Sequence, residues 1–297
     1  MEIVKPFVKW AGGKNSLIPQ LTKYYPFELK NGTIERYIEP FVGGGAVLID
    51  ILQKYEVKEA YAFDINKDLI NCYNVIKTNV ENLIQELDKK EKEFLILDND
   101  ARQQYFYDIR AEYNSYTLNE DIDVKRASEF IFLNRTCFNG LYRVNSKNEF
   151  NVPFGKKTKV NTYEGQNLGI ICGFLNYNDI KILSTDFEEA VKEAKKGDFI
   201  YFDPPYDSDT STFNSYTEDG FGKEQQKRLA RVYRELSDKG CYVMLSNHNT
   251  ELINELYKDY NIHLIEAKRS INANGKKRGK VEEVIITNYE NKRGFDL

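Results

Sequence analysis

The feature that most restricts the fold is a short apolar run that breaks into glycines and resumes as a helix. Arg36–Glu39 reads as a strand, Pro40-Phe41-Val42-Gly43-Gly44-Gly45 as a tight turn and Val47–Lys54 as a helix. A strand that hands over to a helix in this way opens a βαβ unit, and its next strand returns parallel. Further runs rich in Ile, Val, Tyr or Phe predict strands at Glu59–Asp64, Phe199–Asp203, Tyr242–Ser246, Ile262–Lys268 and Glu283–Asn288. Lys223–Lys239 carries Leu229, Val232, Tyr233 and Leu236 at helical spacing, then Gly240 as a C′ residue. Thr185 with Glu188 reads as a capping box for a helix through Lys195. Strands alternating with helices predict an α/β fold with a largely parallel sheet.

A second lobe interrupts that pattern. From about Asn66 to Phe130 the chain is mostly helical in periodicity. Between Asn134 and Lys159 the basic residues Arg135, Arg143, Lys147, Lys156, Lys157 and Lys159 face only Glu149. Another basic stretch, Lys268, Arg269, Lys276, Lys277, Arg278 and Lys280, contains no acid. The whole chain of 297 residues has net charge -4, so it is not a generally basic protein. Two local basic runs on an acidic background predict a face for a polyanion, against the blander reading of solvated surface.

Several classes are disfavoured early. No apolar run approaches the roughly 20 residues of a membrane span. The start, Met1-Glu2-Ile3-Val4-Lys5, lacks an apolar signal region, so a cytoplasmic location is expected. Cys72, Cys137, Cys172 and Cys241 are far apart, and only His248 and His263 could add imidazole ligands, so no metal site is expected. The dinucleotide fingerprint would need glycine where Leu48 stands, and the Walker pattern fails at Val8 and Asn15 around Gly12-Gly13-Lys14.

What remains is a glycine loop that brings backbone amides close to a ligand and, about 20 residues on, an acid at a strand end, Asp64. Such an acid accepts hydrogen bonds from ribose hydroxyls, so a nucleoside without phosphates suits the pair. A helix cap is its ordinary alternative, with Asn66 and Asp68 nearby. A second constellation follows Phe199–Phe202: Asp203-Pro204-Pro205-Tyr206. Two prolines stop the strand and fix the backbone at the sheet edge. The Asp203 carboxylate and the Pro204 carbonyl form a rigid pair of acceptors, and Tyr206 adds a flat face. That set suits a planar ring with an exocyclic amino group.

With these residues in order, the chain resembles the DNA adenine-N6 methyltransferases of the Dam type over nearly its whole length. The shared motifs are Phe7-Val8-Lys9-Trp10-Ala11-Gly12-Gly13-Lys14, Glu39-Pro40-Phe41-Val42-Gly43-Gly44-Gly45 and Phe63-Asp64-Ile65-Asn66. Asn134-Arg135, Phe138-Asn139-Gly140-Leu141-Tyr142-Arg143-Val144-Asn145 and Phe150-Asn151-Val152-Pro153-Phe154-Gly155 follow. Asp203-Pro204-Pro205-Tyr206, Ser246-Asn247-His248 and Arg269-Ser270-Ile271-Asn272-Ala273-Asn274-Gly275 complete the set. The resemblance implies a Rossmann-like methyltransferase sheet with an inserted, mainly helical target-recognition domain. Residues 1–70 and 165–297 form the catalytic part and 71–164 the DNA-binding insert with its hairpin loop.

The resemblance also implies S-adenosylmethionine as cofactor and duplex DNA as substrate. Its implied cofactor residues are Trp10, Lys14, Pro40, Phe41, Gly43, Gly45, Asp64, Ile65, Asp186, Phe187 and Asp203, and its catalytic residues Asp203, Pro204 and Tyr206. Implied DNA contacts are Lys9, Arg135, Phe138, Asn139, Leu141, Arg143, Pro153, Asn272 and Lys276, with hairpin-turn chemistry an additional reading of Asn139-Gly140. The match of the loop to GATC-reading members implies that site, reached by base flipping. A cognate restriction endonuclease acting on the same site without stable binding is an implied partner. The same fold acting on another DNA motif, on cytosine N4 or on RNA, or a silent DNA-binding protein, are the alternatives. Asp203 argues against cytosine N4, and the intact Asp203–Tyr206 segment and glycine loop against a silent protein.

Overall fold

The computed structural model describes residues 4–118, 122–156, 165–207, 221–268 and 280–290. Seven strands form one sheet: β1 (Arg36–Glu39), β2 (Glu59–Asp64), β3 (Lys181–Ser184), β4 (Phe199–Phe202), β5 (Tyr242–His248), β6 (Asn261–Lys268) and β7 (Lys280–Thr287). Their order is β3-β2-β1-β4-β5-β7-β6. The first five are parallel, with Tyr37 opposite Ala60 on one side and Phe199 on the other, whereas β7 runs antiparallel to both neighbours. Strand order reverses between β1 and β4, which creates a crevice at their carboxyl ends. Both motifs singled out above, the glycine loop after β1 and Asp203–Tyr206 after β4, leave the sheet at that reversal.

The helices are α1 (Ile18–Leu21), α2 (Phe27–Lys30), α3 (Ala46–Lys54), α4 (Lys67–Thr78), α5 (Val80–Leu95) and α6 (Asn99–Ser115). After them come α7 (Val124–Thr136), α8 (Gly165–Tyr177), α9 (Phe187–Ala190), α10 (Lys223–Asp238) and α11 (Glu251–Leu256). Side-chain alternation along the strands divides the core. Tyr37, Phe199, Tyr201 and Met244 pack on one face, in a cluster continuous with α3, α4, α5 and α7 through Ile51, Leu69, Leu83, Phe94 and Phe130. Ile38, Ile200, Phe202, Val243 and Leu245 pack on the other against Leu229, Val232, Tyr233 and Leu236 of α10. Because β4 is buried on both faces it reads as an unbroken apolar run. Truncating Phe199 to Ala in this core costs about 3–5 kcal/mol.

Three local expectations are corrected. The sequence pattern missed β3, a four-residue edge strand whose Leu183 is exposed and whose other side chains include Lys181 and Ser184. The predicted strand through Asp203 ends at Phe202. Two residues on, Pro204 has no N–H to continue a ladder. The capping box at Thr185 does not form. Asp186 is the N-cap, its side chain accepting from the Glu188 N–H, and the helix ends at Ala190 rather than reaching Lys195. Glu188 turns instead to Arg228 and Arg231 of α10, since a guanidinium is a stronger partner than a neutral backbone amide.

Candidate active site

The glycine loop depends on two close approaches. Gly43 has φ +47°, and a Cβ there would lie 2.7 Å from Trp10 Cδ1. Gly45 has φ +74°, and its Cβ would lie 2.6 Å from the Tyr73 hydroxyl, which donates to the Gly43 carbonyl at 3.0 Å. Only glycine accommodates both the left-handed backbone and these neighbours. Trp10 is itself fixed by stacking on Tyr142, with centroids 5.5 Å apart. The loop is thereby clamped between the indole and the Tyr73 phenol.

Asp64, at the end of β2, closes the loop from beside. Its carboxylate accepts the Gly43 N–H at 3.1 Å and the Asn66 N–H at 2.9 Å. Burial pushes its pKa up to about 6, against the opposing pull of these backbone amides. A carboxylate has about four acceptor positions, so some stay open to a ligand. Asn66 caps α4, so the cap falls to it and not to Asp64. Ile65 is exposed beside this acid. Pro40 is buried at the start of the loop, and Phe41 stacks on Phe187 with centroids 5.5 Å apart. Asp186 and Phe187 follow β3, so the ends of β1, β2 and β3 carry one row of these residues.

The other side of the crevice is built around Asp203. The Lys14 ammonium lies 2.8 Å from Asp203 Oδ1 and donates to the Gly12 carbonyl at 2.6 Å. Lys14 is buried and Asp203 retains 19% side-chain exposure. Burial pushes the Asp203 pKa up to about 6, and Lys14 is the main force opposing that rise. The same ammonium sits 4.6 Å from the centroid of the Tyr206 ring, a cation–π contact. Tyr206 donates through its hydroxyl to Glu283 of β7 at 3.0 Å and meets His248 edge-on.

Backbone pins hold this turn. Gln226 of α10 donates to the Pro205 carbonyl at 3.0 Å, and the Asn247 carboxamide oxygen accepts the Asp207 N–H at 2.9 Å. Asn247 in turn donates to Gln226 at 3.1 Å. Pro204 itself is buried. Beneath the loop lies a further acid, Glu39, buried and accepting from the Tyr37 hydroxyl at 2.6 Å. Burial raises its pKa well above the carboxylate range.

The predicted DNA contacts fall into two groups. Phe138, Asn139, Arg143, Pro153 and Lys9 are exposed, while Leu141 is half-buried. Asn139 and Gly140 both have positive φ, and the Leu141 N–H donates to the Phe138 carbonyl, so the local turn follows the Asn-Gly hairpin pattern. Asn134 joins this turn to the N-terminal segment. It accepts from the Lys9 N–H at 2.9 Å and donates to the Lys9 carbonyl at 2.8 Å and the Gly140 carbonyl at 3.2 Å. The Phe138 N–H donates to Pro153, and Arg143 donates to the Asn151 side chain at 2.7 Å. Arg135 is half-buried and donates to the Phe7 carbonyl. Asn272 and Lys276 lie outside the described residues.

Sequence reasoning missed Lys14 as the partner of Asp203, along with Gln226, Glu283 and Arg228. Only the first carried any signal, through its place in the N-terminal motif.

The sequence profile of the D12 class N6 adenine-specific DNA methyltransferases matches residues 10–271. The chain belongs to this family. It is 47% identical to the Type II methyltransferase M.MjaIII of Methanocaldococcus jannaschii, over 96% of this chain and 99% of that one. It is 35% identical to the DNA adenine methylase of Haemophilus influenzae, covering 95% and 92% of the two chains. With the DNA adenine methylase of Escherichia coli K12 the identity is 32%, over 95% and 94%. The chain is therefore an enzyme, an adenine-specific DNA methyltransferase acting on DNA, and its seven-strand α/β sheet is consistent with the Rossmann-like methyltransferase fold. No helix among the described residues is long and apolar enough to cross a membrane.

Proposed function

We propose that the enzyme transfers the methyl group of S-adenosylmethionine to N6 of the adenine in duplex GATC, after flipping that base out of the helix. The observation that carries this reading is the neighbourhood of two acids across the strand reversal, Asp64 beside the glycine loop and Asp203 in the proline turn. The cofactor fits the first half. Asp64 retains acceptor positions for ribose hydroxyls, the Gly43–Gly45 backbone suits the methionine part, and Trp10, Lys14, Pro40, Phe41 and Ile65 complete its surroundings. Phe187, stacked on Phe41, with Asp186 serves the adenine. When bound, S-adenosylmethionine supplies an already activated methyl group.

The residues of the second half act on the nucleophile. The amino nitrogen of adenine is weak because its lone pair is delocalised into the ring. Asp203 and the Pro204 carbonyl accept its two N–H groups and localise that pair. Their attraction grows as positive charge develops on nitrogen, so it favours the transition state over the bound substrate. Tyr206 stacks on the flipped ring. Asp203 then takes the surplus proton from N6. The rest of the task is positioning.

Extracting the base costs about a few kcal/mol. Phe138 and Leu141 supply apolar surface for the gap, while Arg143 and Pro153 with Leu141 read base edges. Lys9 and Asn139 lie on DNA near the flipped nucleotide, and Arg135, Asn272 and Lys276 add to the basic face. In this reading residues 71–164 are the recognition insert and 1–70 with 165–297 the catalytic part. The enzyme works in the cytoplasm, where the DNA is. The Type II name of the Methanocaldococcus relative supports a restriction endonuclease of the same specificity as a functional companion.

The test uses methyl-labelled S-adenosylmethionine with two duplexes, one containing GATC and one with that site scrambled. Label as N6-methyladenine in the GATC duplex alone is the expected result. Label in both overturns the site and keeps the reaction. Label in neither overturns the substrate reading.

A further inference from the structure

Arg228 of α10 lies outside every motif described above, yet its guanidinium surrounds one of them. Nη1 donates to Asp186 Oδ2 at 3.0 Å, Nη2 donates to Asp186 Oδ1, and Nε donates to Glu188 Oε2 at 2.6 Å. Between those two acids stands Phe187, whose ring centroid is 4.5 Å from the guanidinium carbon. The same ring stacks on Phe41 and approaches Phe221 at 5.9 Å. One arginine therefore grips both residues flanking Phe187 and covers the ring itself. Arg231 reinforces the grip from the next turn of α10, donating to Glu188 Oε1 at 2.9 Å.

The count of acceptor positions gives this arrangement a function. Among the described residues, Asp186 Oδ1 accepts from Arg228 and from the Glu188 N–H at 3.0 Å, while Oδ2 accepts from Arg228 alone. Three of about four acceptor positions are filled, and the remaining one is on Oδ2. A bidentate guanidinium also fixes the plane of a carboxylate, which a point charge does not. The open position is thus aimed as well as available.

The geometry points to Arg228 as a positioning residue for the cofactor: packed on the buried Phe187 ring, it orients Asp186 to accept the exocyclic amino group of the adenine ring. This inference rests on the proposed use of S-adenosylmethionine. It predicts that Arg228 sets discrimination for an amino group on the purine, separately from the rate of methyl transfer.

The experiment is calorimetric titration of S-adenosylhomocysteine and of S-inosylhomocysteine, which carries a keto group in place of the amine. The proteins are wild type, Arg228→Gln, Arg228→Lys and Arg231→Gln. Wild type is expected to prefer the adenine compound at least tenfold, the value of about one charge-assisted hydrogen bond. In Arg228→Gln the adenine compound weakens about tenfold, the inosine compound less than threefold, and the preference collapses. Arg228→Lys restores only part of it, and Arg231→Gln leaves it intact. The kcat at saturating S-adenosylmethionine stays within about twofold in Arg228→Gln, while KM rises. Equal weakening of both compounds, or an unchanged preference, overturns the role of Arg228 alone. Failure of wild type to bind S-adenosylhomocysteine overturns the cofactor reading itself. A thermal unfolding scan of each variant separates loss of fold from loss of preference, and Arg228→Lys carries the test if Arg228→Gln does not fold.

Discussion

Asp64 and Asp203 stand at the same edge of one sheet, and burial pushes both up to about 6, yet they are held in opposite ways. Asp64 is fixed by the backbone amides of Gly43 and Asn66, which cannot leave without undoing the loop. Asp203 is attended by Lys14, a side chain on a flexible stem that also lies over Tyr206. The ammonium thus touches the acceptor and the stacking surface assigned to the target base. A site built from backbone holds a constant shape, as a cofactor visiting every cycle requires. Side-chain contacts around Asp203 can be exchanged, as entry of a base requires.

The strongest way to break this contrast is Asp203→Ala. We expect kcat to fall about 10²–10³-fold while S-adenosylmethionine binding and duplex binding persist. Single-turnover methylation with parallel calorimetry checks it, and undiminished turnover defeats the proposed chemistry. Asp64→Ala should show the opposite division. Cofactor binding weakens about 10–100-fold, the equivalent of one or two hydrogen bonds to a charged group. Thermal stability also drops, because the buried Gly43 amide and the half-buried Asn66 amide lose their acceptor.

A subtler pair separates the loop from both acids. Arg143→Ala should cost about 1–3 kcal/mol of discrimination at one guanine and little turnover on the cognate site. The readout is the kcat/KM ratio between GATC and duplexes changed at one base. Asn151→Ala should lower the same ratio by less, since Arg143 loses its support but keeps its charge.

The smallest effect sharpens the comparison most. The proposed chemistry needs Asp203 ionised, so kcat/KM in the free enzyme should fall as pH drops through about 6. Lys14 favours the ionised form, and Lys14→Met therefore moves this limb to higher pH. Stability moves the other way in the wild-type protein. A carboxyl whose folded pKa is raised contributes most below its unfolded pKa, and that contribution is lost as pH climbs through about 6. Denaturant titrations at intervals across that range measure it. An acid limb that stays in place in Lys14→Met ends the assignment to Asp203.

The strands that carry the motifs were legible because their apolar runs are buried on both faces and flanked by glycine or proline. β3 was not, being short and at an edge where Lys181 and Leu183 face outward. Glycine loop, acid and proline turn were each visible as letters. Their meeting was not, because the order of strands brings β1 beside β4 and no local pattern encodes that. Lys14 read alone is a surface lysine, but it is 4% exposed in the fold. Arg228 sits on a helix rich in charged residues, where one arginine looks like its neighbours until Asp186 arrives from another strand.

The unbroken core has a consequence for how such enzymes change their target. Phe94 of α5 and Phe130 of α7 belong to the same packed cluster as Phe199 and Tyr201 of the sheet, and Asn134 stitches the loop to Lys9. Transplanting the insert from a cousin would tear that interior on every side. On the proposed reading of the loop, new specificities are reached most cheaply through single replacements at exposed positions such as 138, 139, 143 and 153, and lineages should diversify there while the helices behind them remain of one pattern.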